Sequence, residues 1–130
     1  MSWTNRGHQP DQLPSTEALS KAVDFSIEAD VECTLINCSH ADIASNSIKE
    51  LKRAPKFGIF ANSSTFKEVD LSIATKDVDA IHHLNSEKIS AKEYAMIALS
   101  WVKEGAFVIG GCCGTTIEHT REIKLLMDSL

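Results

Sequence analysis

The sequence of 130 residues has few of the features that mark membrane, secreted or nucleic-acid-binding proteins. No apolar run approaches the roughly 20 residues that span a bilayer, and the first residues lack the hydrophobic stretch of a signal peptide. The formal net charge is −5 without any basic stripe, so neither a nucleic acid nor an anionic membrane is expected as a partner. With 43% hydrophobic and 24% charged residues, the composition is that of an ordinary folded domain. These properties predict a cytoplasmic globular protein.

Cysteine is also scarce, and the positions of the four cysteines are informative: 33, 38, 112 and 113. The cytoplasm keeps thiols reduced, so metal binding or catalysis is a better interpretation than a disulfide framework. Cys33 begins a short apolar run and is interpreted as a core residue, because a free cysteine packs as a small hydrophobe. The other three cysteines are candidates for a functional site.

Strand and helix signals alternate four times along the chain, with about 30 residues per unit. The predicted strands cover residues 2–4, 33–38, 57–62 and 107–111, and the predicted helices lie within 19–27, 44–51, 90–105 and 115–130. This alternation predicts an α/β fold with a parallel sheet and right-handed crossovers. Four units form either a small open sheet or half of an eight-unit barrel, which needs about 250 residues. The long polar stretch over 64–85 is expected to be functional or locally folded, and its His82 and His83 are interpreted as solvated loop residues.

The vicinal pair Cys112 and Cys113 stands between a buried-strand signal and a helix start. Consecutive side chains of a regular strand point to opposite faces, so the pair cannot face one ion if the strand simply continues. The preceding Gly110 and Gly111 permit backbone angles that other residues avoid, so we expect the chain to turn at these glycines. Residues 115–118, Thr-x-x-Glu, form a capping-box pattern that predicts a helix whose dipole lowers the pKa of the thiols.

The third cysteine is placed in the same way. Cys38 follows the apolar strand signal at residues 34–36, and Ser39 with Asp42 predicts the cap of a following helix. The carboxyl ends of parallel strands are where active sites gather in α/β proteins. Zinc sites that do chemistry usually have three protein ligands and keep a fourth position open. Cys38 and the vicinal pair therefore predict an open zinc site.

Three segments carry a resemblance to a known family: residues 110–119 (GGCCGTTIEH), 35–39 (LINCS) and 60–63 (FANS). Together with residues 2–4 and 101–106 they resemble the C-terminal half of the homocysteine S-methyltransferase domain, over essentially the whole chain. The resemblance implies a zinc-dependent (β/α)8 barrel, and it implies that the ligands of Zn²⁺ are Cys38, Cys112 and Cys113. It also implies transfer of a methyl group to the thiol of homocysteine, which gives methionine. Relatives use S-methylmethionine, S-adenosylmethionine, betaine or a folate–cobalamin system as the methyl donor.

The chain departs from the family's pattern in two residues and in extent. It has Ser64 where many members have glycine and Ile117 where proline is common, and neither is a predicted ligand. Residues 1–130 resemble only the C-terminal half, about four β-α units, so activity is expected only when the N-terminal half-barrel is supplied. An open half-barrel exposes two sheet edges and an apolar face, which favours pairing with a complementary half-barrel chain or self-association. We therefore expect a fragment, a truncated gene product or one half of an assembly.

Polar residues at the same strand ends are candidates for binding the substrate. Asn37, Asn62 and Ser63 can hydrogen-bond homocysteine there, although Asn and Ser are equally natural turn and cap residues. His119 lies in the first turn of the last helix and is interpreted as a surface residue or a neighbour of the site rather than a ligand. Two aromatic residues at helical spacing are interpreted as core: Tyr94 and Trp101.

Two other classes of function stay open on the sequence. A non-catalytic zinc-binding or interaction module would bind the metal without transferring a methyl group. A thiol redox protein would oxidise the vicinal pair reversibly and would need no metal. Adjacent cysteines close only a strained ring, which makes the redox alternative the weakest.

Overall fold

The computed structural model describes residues 1–5, 9–13, 17–67 and 86–130. The strands within these residues are β1 (Ser2–Trp3), β2 (Thr34–His40), β3 (Phe57–Asn62), β4 (Ser64–Phe66), β5 (Ser86–Lys88) and β6 (Val108–Gly111). The helices are α1 (Leu19–Glu28), α2 (Ala41–Asn46), α3 (Ile48–Leu51), α4 (Ala91–Lys103) and α5 (Ile117–Asp128). His82 and His83, interpreted above as solvated loop residues, lie outside the described residues.

One parallel sheet contains four of these strands, in the order β1, β2, β3, β6. Its register pairs Ser2 with Leu35 on one side and Gly58 with Val108 on the other. The four strands follow one another in chain order with a helix in each connection, as in consecutive units of a (β/α)8 barrel. The predicted α/β fold with parallel (β/α) units is therefore confirmed, and the four predicted strand segments correspond to these strands.

The core is built from aliphatic side chains and three aromatic ones, Phe57, Tyr94 and Trp101. Tyr94 and Trp101 are fully buried, as predicted, and their rings meet edge to face with centroids 5.7 Å apart. Ile36 of β2 and Ile59 of β3 are also completely buried. Burying each such side chain stabilises the fold by about 1.5–3 kcal/mol. The two central strands are thus firmly anchored, and their carboxyl ends carry part of the site described below.

Helix α4 begins and ends as predicted. Glu93 N–H donates to Ser90 Oγ at 3.3 Å, and the Glu93 carboxylate accepts from Ser90 N–H at 2.8 Å, which completes the predicted capping box. After the helix, Gly105 has a φ of +100°, in the region that favours glycine. The indole N–H of Trp101 donates to Ser45 Oγ at 2.7 Å and ties α4 to α2.

The predicted cap formed by Ser39 and Asp42 is wrong. Ser39 lies inside β2, and its hydroxyl donates to Asn37 O at 3.2 Å within the strand. Asp42 instead accepts from Phe66 N–H at 3.0 Å, which holds β4 against the start of α2. The helix predicted after β2 is also divided into α2 and α3, with Ser47 between them.

The predicted cap of the last helix is displaced by one residue. Thr116 is the N-cap of α5, and its N–H donates to His119 Nδ1 at 3.1 Å. The predicted pair Thr115 and Glu118 does not form this cap. Thr115 belongs to the preceding turn, because its hydroxyl donates to Cys112 O at 2.7 Å.

Two further features of the chain concern its loops. Cys33 is partly exposed rather than part of the core, since it precedes β2 and its carbonyl accepts from the amino terminus of Met1 at 2.8 Å. Strands β4 and β5 form a separate antiparallel pair, with Ser64 opposite Lys88. The first residues of the polar stretch, Ser64–Phe66, therefore pair with the strand directly after it, and residues 68–85 lie outside the described residues.

The β6 side of the sheet is less covered than its centre. No side chain of α5 is buried, and Phe107, Ile117 and Leu125 are 65%, 79% and 57% exposed. Among the described strands, β1 and β6 each pair with one neighbour only. Unpaired strand edges beside apolar surface are typical of contact with another chain or segment. None of the described helices is long and apolar enough to cross a membrane.

Candidate metal centre

Three cysteine side chains meet at the carboxyl ends of the parallel strands. Cys38 lies near the end of β2, and Cys112 and Cys113 directly follow β6. The Sγ atoms of Cys38 and Cys113 are 3.5 Å apart, and all three Sγ atoms lie within 4.8 Å of one another. Cys38 and Cys112 are partly exposed and Cys113 is exposed, so the cluster is accessible from solvent. The structure brings together the three residues predicted as ligands.

The sulfurs meet across an intervening strand. β2 and β6 both pair with β3, and neighbouring strands are about 4.8 Å apart, so the axes of β2 and β6 are roughly 10 Å apart. A separation of 3.5 Å between the Sγ atoms of Cys38 and Cys113 therefore requires both chains to lean over the end of β3. Two local backbone features produce this arrangement.

A β-bulge turns Cys38 inward. Asn37 pairs with Phe60 and His40 with Asn62, so β2 has one more residue than β3 over this stretch. Within the bulge, Cys38 has a φ of +53°, in the left-handed region that residues with a side chain rarely adopt. Bulges bend a strand and re-aim a side chain, and they are common beside active sites. The bulge therefore directs the Cys38 sulfur towards the vicinal pair.

A tight turn after β6 presents the vicinal pair. Cys112 N–H donates to Ala61 O at 2.8 Å, which extends the pairing of β3 with β6 by one residue. Thr115 N–H then donates back to Cys112 O at 3.2 Å, and Gly114 has a φ of +75°. A positive φ at the third of four residues is the requirement of a type II turn. Cys113 therefore stands at the second position of the turn, where its side chain no longer alternates with that of Cys112.

The predicted turn at Gly110 and Gly111 is wrong, because both residues lie in β6. These glycines instead allow close approach. A Cβ atom at Gly111 would lie 2.4 Å from Thr115 Oγ1, and one at Gly110 would lie 3.0 Å from the Phe60 ring. Gly111 therefore allows Thr115 of the turn to lie against β6, and Gly110 makes room for the ring of Phe60 in β3.

The three residues predicted to bind substrate lie at the same edge of the sheet and contact the backbone or a neighbouring side chain. Asn62 Oδ1 accepts from Cys113 N–H at 3.0 Å, and Ser63 N–H donates to Cys113 O at 3.0 Å. Asn37 Oδ1 accepts from Thr4 Oγ1 at 3.1 Å. Asn62 and Ser63 therefore hold both backbone groups of Cys113, a positioning contact that the sequence did not indicate.

Tyr94 connects two strand ends beside the cluster. The sequence predicted it only as a core residue and did not indicate this contact. Its hydroxyl lies 2.9 Å from Ala61 O and 2.7 Å from Gly110 O, which ties β3 to β6. Burial raises the pKa of Tyr94, so the hydroxyl remains a donor. His119 packs edge to face on Tyr94 with centroids 5.6 Å apart, and its Nε2 has no hydrogen-bond partner among the described residues. His119 thus lies next to a residue that supports the site.

The surroundings of Cys38 disfavour the thiolate form of its side chain. Burial and the adjacent thiols of Cys113 and Cys112 raise the pKa of Cys38 to about 12. Three thiolates within 4.8 Å of one another repel strongly unless a positive charge lies between them. Thiolates are the ligands of soft divalent cations such as zinc.

The distances between the sulfurs fit such an ion. A tetrahedral Zn–S distance of about 2.3 Å places two ligand sulfurs about 3.8 Å apart. The 3.5 Å between Cys38 and Cys113 is close to this value, and the limit of 4.8 Å for all three pairs leaves only a small adjustment. Three ligands leave one position of a tetrahedron for a further group.

Comparison with known proteins agrees with this geometry. The sequence profile of the homocysteine S-methyltransferase family matches residues 1–127. The chain belongs to the homocysteine S-methyltransferase family. This confirms the resemblance drawn from the cysteine motifs. No curated protein sequence matches the chain significantly.

Fourteen chains of solved structures match the structure of this chain significantly. One is the crystal structure of the homocysteine methyltransferase MmuM from Escherichia coli in an oxidized form. The match has a TM-score of 0.58 and 18% sequence identity, and it covers 98% of this chain and 35% of that chain. The fold is therefore shared, and this chain spans about a third of the length of MmuM.

The two departures from the homocysteine S-methyltransferase pattern leave the cysteine cluster intact. Ser64 begins β4, and its hydroxyl lies 2.9 Å from His40 Nδ1. Ile117 is the first residue of α5 and is 79% exposed. Neither residue belongs to the group of three sulfurs.

Proposed function

We propose that this chain takes part in zinc-dependent transfer of a methyl group to the thiol of homocysteine, giving methionine. The proposed ligands of Zn²⁺ are Cys38, Cys112 and Cys113. The observation that supports this most is the convergence of three Sγ atoms within 4.8 Å at the strand ends of a member of this family. A set of three protein ligands is typical of zinc sites that do chemistry.

The cysteines act in this proposal as ligands and not as nucleophiles. Zinc held by three thiolates supplies a Lewis acid that favours the deprotonated form of a substrate thiol, whose pKa is otherwise near 8.5. The exposed side of Cys113 leaves access for homocysteine. The sulfur of homocysteine donates its electron pair to the methyl carbon while that carbon's bond to the donor, a cationic sulfur or nitrogen or a methylated cofactor, breaks. The thiol proton passes to solvent.

Polar groups at the strand ends are proposed to orient the amino acid substrate. The side-chain oxygens of Asn37 and Asn62 accept hydrogen bonds from Thr4 Oγ1 and Cys113 N–H. Their amide NH2 groups are the proposed donors to the carboxylate of homocysteine. Ser63 is proposed to contact the substrate as well, from a buried position next to the turn that carries Cys113.

We further propose that activity requires a complementary half-barrel, supplied by a separate polypeptide or by a second copy of this chain. Among the described strands, β1 and β6 each have an unpaired side, and the apolar side chains Ile117 and Leu125 of α5 are exposed. A closed barrel leaves no strand edge, so a second set of strands would satisfy both edges at once. The reduced thiols that the site needs are consistent with action in the cytoplasm.

A non-catalytic zinc-binding or interaction module is the second candidate, and the open sheet edges favour it. In that case the same cysteines bind Zn²⁺, but no methyl group is transferred in any assembly.

Elemental analysis of the purified protein tests the ligand assignment. We expect close to one zinc per chain, and we expect Cys38→Ser and Cys113→Ser to lose it. Cys33→Ser is the matched control, because Cys33 is also partly exposed but does not belong to the cluster. Full zinc content in either ligand variant, or loss of zinc in the Cys33 control, would contradict the assignment.

Methyl transfer is tested separately, by mass spectrometry of methionine formed from homocysteine. The zinc-loaded chain is assayed with each of the four donors, alone and with a co-expressed N-terminal half-barrel of a family member. Methionine formation that needs Cys113 supports the proposed enzyme. Zinc-loaded complexes that form no methionine with any donor support the non-catalytic module.

A further inference from the structure

The backbone of Cys38 needs support from outside the bulge. Its φ of +53° lies in the left-handed region, which is unfavourable for a residue with a side chain. Such conformations persist only where the surrounding structure holds them. The residues that flank Cys38 are therefore expected to be held by contacts with other segments.

Both flanking residues are held by the chain that follows β1. Ser39 Oγ donates to Asn37 O at 3.2 Å and accepts from Asn5 N–H at 3.0 Å. Asn37 Oδ1 accepts from Thr4 Oγ1 at 3.1 Å. The bulge is thus clamped on both sides of Cys38 by two consecutive residues of another segment.

Asn5 is itself held by the junction between α2 and α3. Its side-chain NH2 donates to Ser47 Oγ at 3.0 Å and to Pro10 O at 2.8 Å. The Ser47 hydroxyl lies 2.9 Å from Pro10 O and 3.2 Å from Ile43 O. These contacts join the chain after β1, β2 and the α2–α3 junction through polar side chains and backbone groups.

The network is buried, which makes its geometry rigid. Asn5 and Ser39 are each 4% exposed, and Ser47 is 1% exposed. Hydrogen bonds in a region of low dielectric are strong, and a buried group that loses its partner is costly. The arrangement of the three residues is therefore well determined.

We propose that Asn5, Ser39 and Ser47 form a positioning network that directs the Cys38 sulfur towards the vicinal cysteines. This inference rests on the proposed metal-binding function. Metal sites tolerate changes of only about 0.2 Å in ligand distance. Groups that orient a ligand typically change metal affinity by about 10–100-fold when they are removed. The network contacts the bulge of Cys38 and not the turn of Cys113, so its loss acts on one ligand of the three.

Cobalt binding tests this proposal, because thiolate ligands of Co²⁺ give an intense charge-transfer absorption. We expect Ser39→Ala to weaken Co²⁺ binding by roughly 10-fold or more and to reduce that absorption per bound ion. Ser47→Ala acts through Asn5 and is expected to change binding in the same direction by a smaller factor.

Ser26→Ala is the matched control. Ser26 is also buried, at 1% exposure, and its hydroxyl also accepts from a residue of the β1 segment, the indole N–H of Trp3 at 3.2 Å. It does not touch the bulge. We expect Ser26→Ala to lower stability about as much as Ser39→Ala does. Its Co²⁺ affinity should stay within about twofold of that of the wild-type chain, and its absorption per bound Co²⁺ should be the same.

A metal-free measurement separates this proposal from the proposed function. In a background with Cys33→Ser and Cys112→Ser, phenylarsine oxide can bridge only Cys38 and Cys113, with loss of water, and mass spectrometry follows the rate. We expect Ser39→Ala to slow bridging at least severalfold, and Ser26→Ala to leave it unchanged.

The outcomes are distinct. If the wild-type chain does not bind Co²⁺ but bridging still depends on Ser39, the metal-binding function is overturned and the network is supported. Bridging and Co²⁺ binding that both survive Ser39→Ala and Ser47→Ala overturn the network and leave the function standing. Equal effects of Ser26→Ala and Ser39→Ala would also overturn it, since a general loss of stability would then account for both.

Discussion

Replacement of Cys38 by glycine and by alanine tests the left-handed backbone on which the site depends. Both variants remove the thiol, so any stabilisation by a bound metal ion is lost equally from each. They differ only in the Cβ atom, which a φ of +53° disfavours. The glycine variant is therefore expected to be the more stable of the two.

The expected difference follows from two opposing terms. Alanine in the left-handed region costs about 1–2 kcal/mol, whereas glycine costs about 0.5–1 kcal/mol in additional chain entropy. Their difference favours Cys38→Gly over Cys38→Ala by about 0.5–1 kcal/mol. At Met96, which lies inside α4 and is 59% exposed, glycine should be less stable than alanine by about 1 kcal/mol. The opposite sign at the two positions is the diagnostic result.

Urea unfolding followed by far-ultraviolet circular dichroism measures both pairs. With a denaturant dependence of about 1–3 kcal/mol per molar urea, the expected difference moves the midpoint by a few tenths of a molar. Asp30 is the matched positive control, because its φ of +51° should give the same sign as Cys38. A glycine variant at position 38 that is less stable than alanine by as much as at Met96 would refute the left-handed bulge. The argument for convergence of the sulfurs would fail with it.

Three other predictions follow from the contacts at the site and in α4. Asn62→Ala should weaken Co²⁺ binding by about 10-fold in a competition titration, because Cys113 N–H loses its acceptor. Asn46→Ala, at the exposed end of α2, is the control, and an equal effect of the two variants would contradict this prediction. Gly114→Ala should lower the thermal midpoint more than Gly105→Ala. Both glycines have a positive φ, but only the new Cβ at Gly114 would lie too close to another atom, 2.7 Å from Ser63 Oγ. The reverse order in calorimetry would count against the turn geometry. Hydrogen bonds from the Ser90 side chain and backbone lower the pKa of Glu93 below its ordinary 4.5, so its contribution to stability is present above that pH and is lost as pH falls through the lowered value. Glu93→Gln should therefore reduce the loss of stability between about pH 6 and about pH 3, and an unchanged pH profile in urea unfolding would show that the capping box makes no such contribution.

Short-range patterns were sufficient for the parallel α/β fold and for the prediction that three cysteines lie together. Apolar runs bounded by glycine, proline and polar residues indicated the four parallel strands, and the Ser90 capping box and Gly105 marked both ends of α4. These signals lie within a few residues of the feature that they predict. The three cysteines were identified for a similar reason, because each follows a strand signal and parallel strands end at one edge of the sheet.

Long-range contacts decided what the sequence left undetermined. Ser39 is a good cap residue by type, but its hydroxyl is used by Asn5 and Asn37, so the helix begins later and Ser39 stays in the strand. The sequence predicted a turn at Gly110 and Gly111, but the turn lies one step later, with its positive φ at Gly114. The reason is that Cys112 N–H continues the pairing with β3 by donating to Ala61 O. In each case a partner from another segment outweighs the local preference.

The sequence by itself determined an α/β chain of parallel units with three cysteines at the strand ends, since periodicity and strand termination are local properties. Only the tertiary structure decided that the Sγ atoms of Cys38 and Cys113 lie 3.5 Å apart. That distance depends on a left-handed Cys38 in a bulge held by Asn5, 33 positions earlier in the chain, and on a turn whose backbone is held by Asn62. No local pattern encodes such contacts, because they exist only when the strands that carry them are assembled side by side.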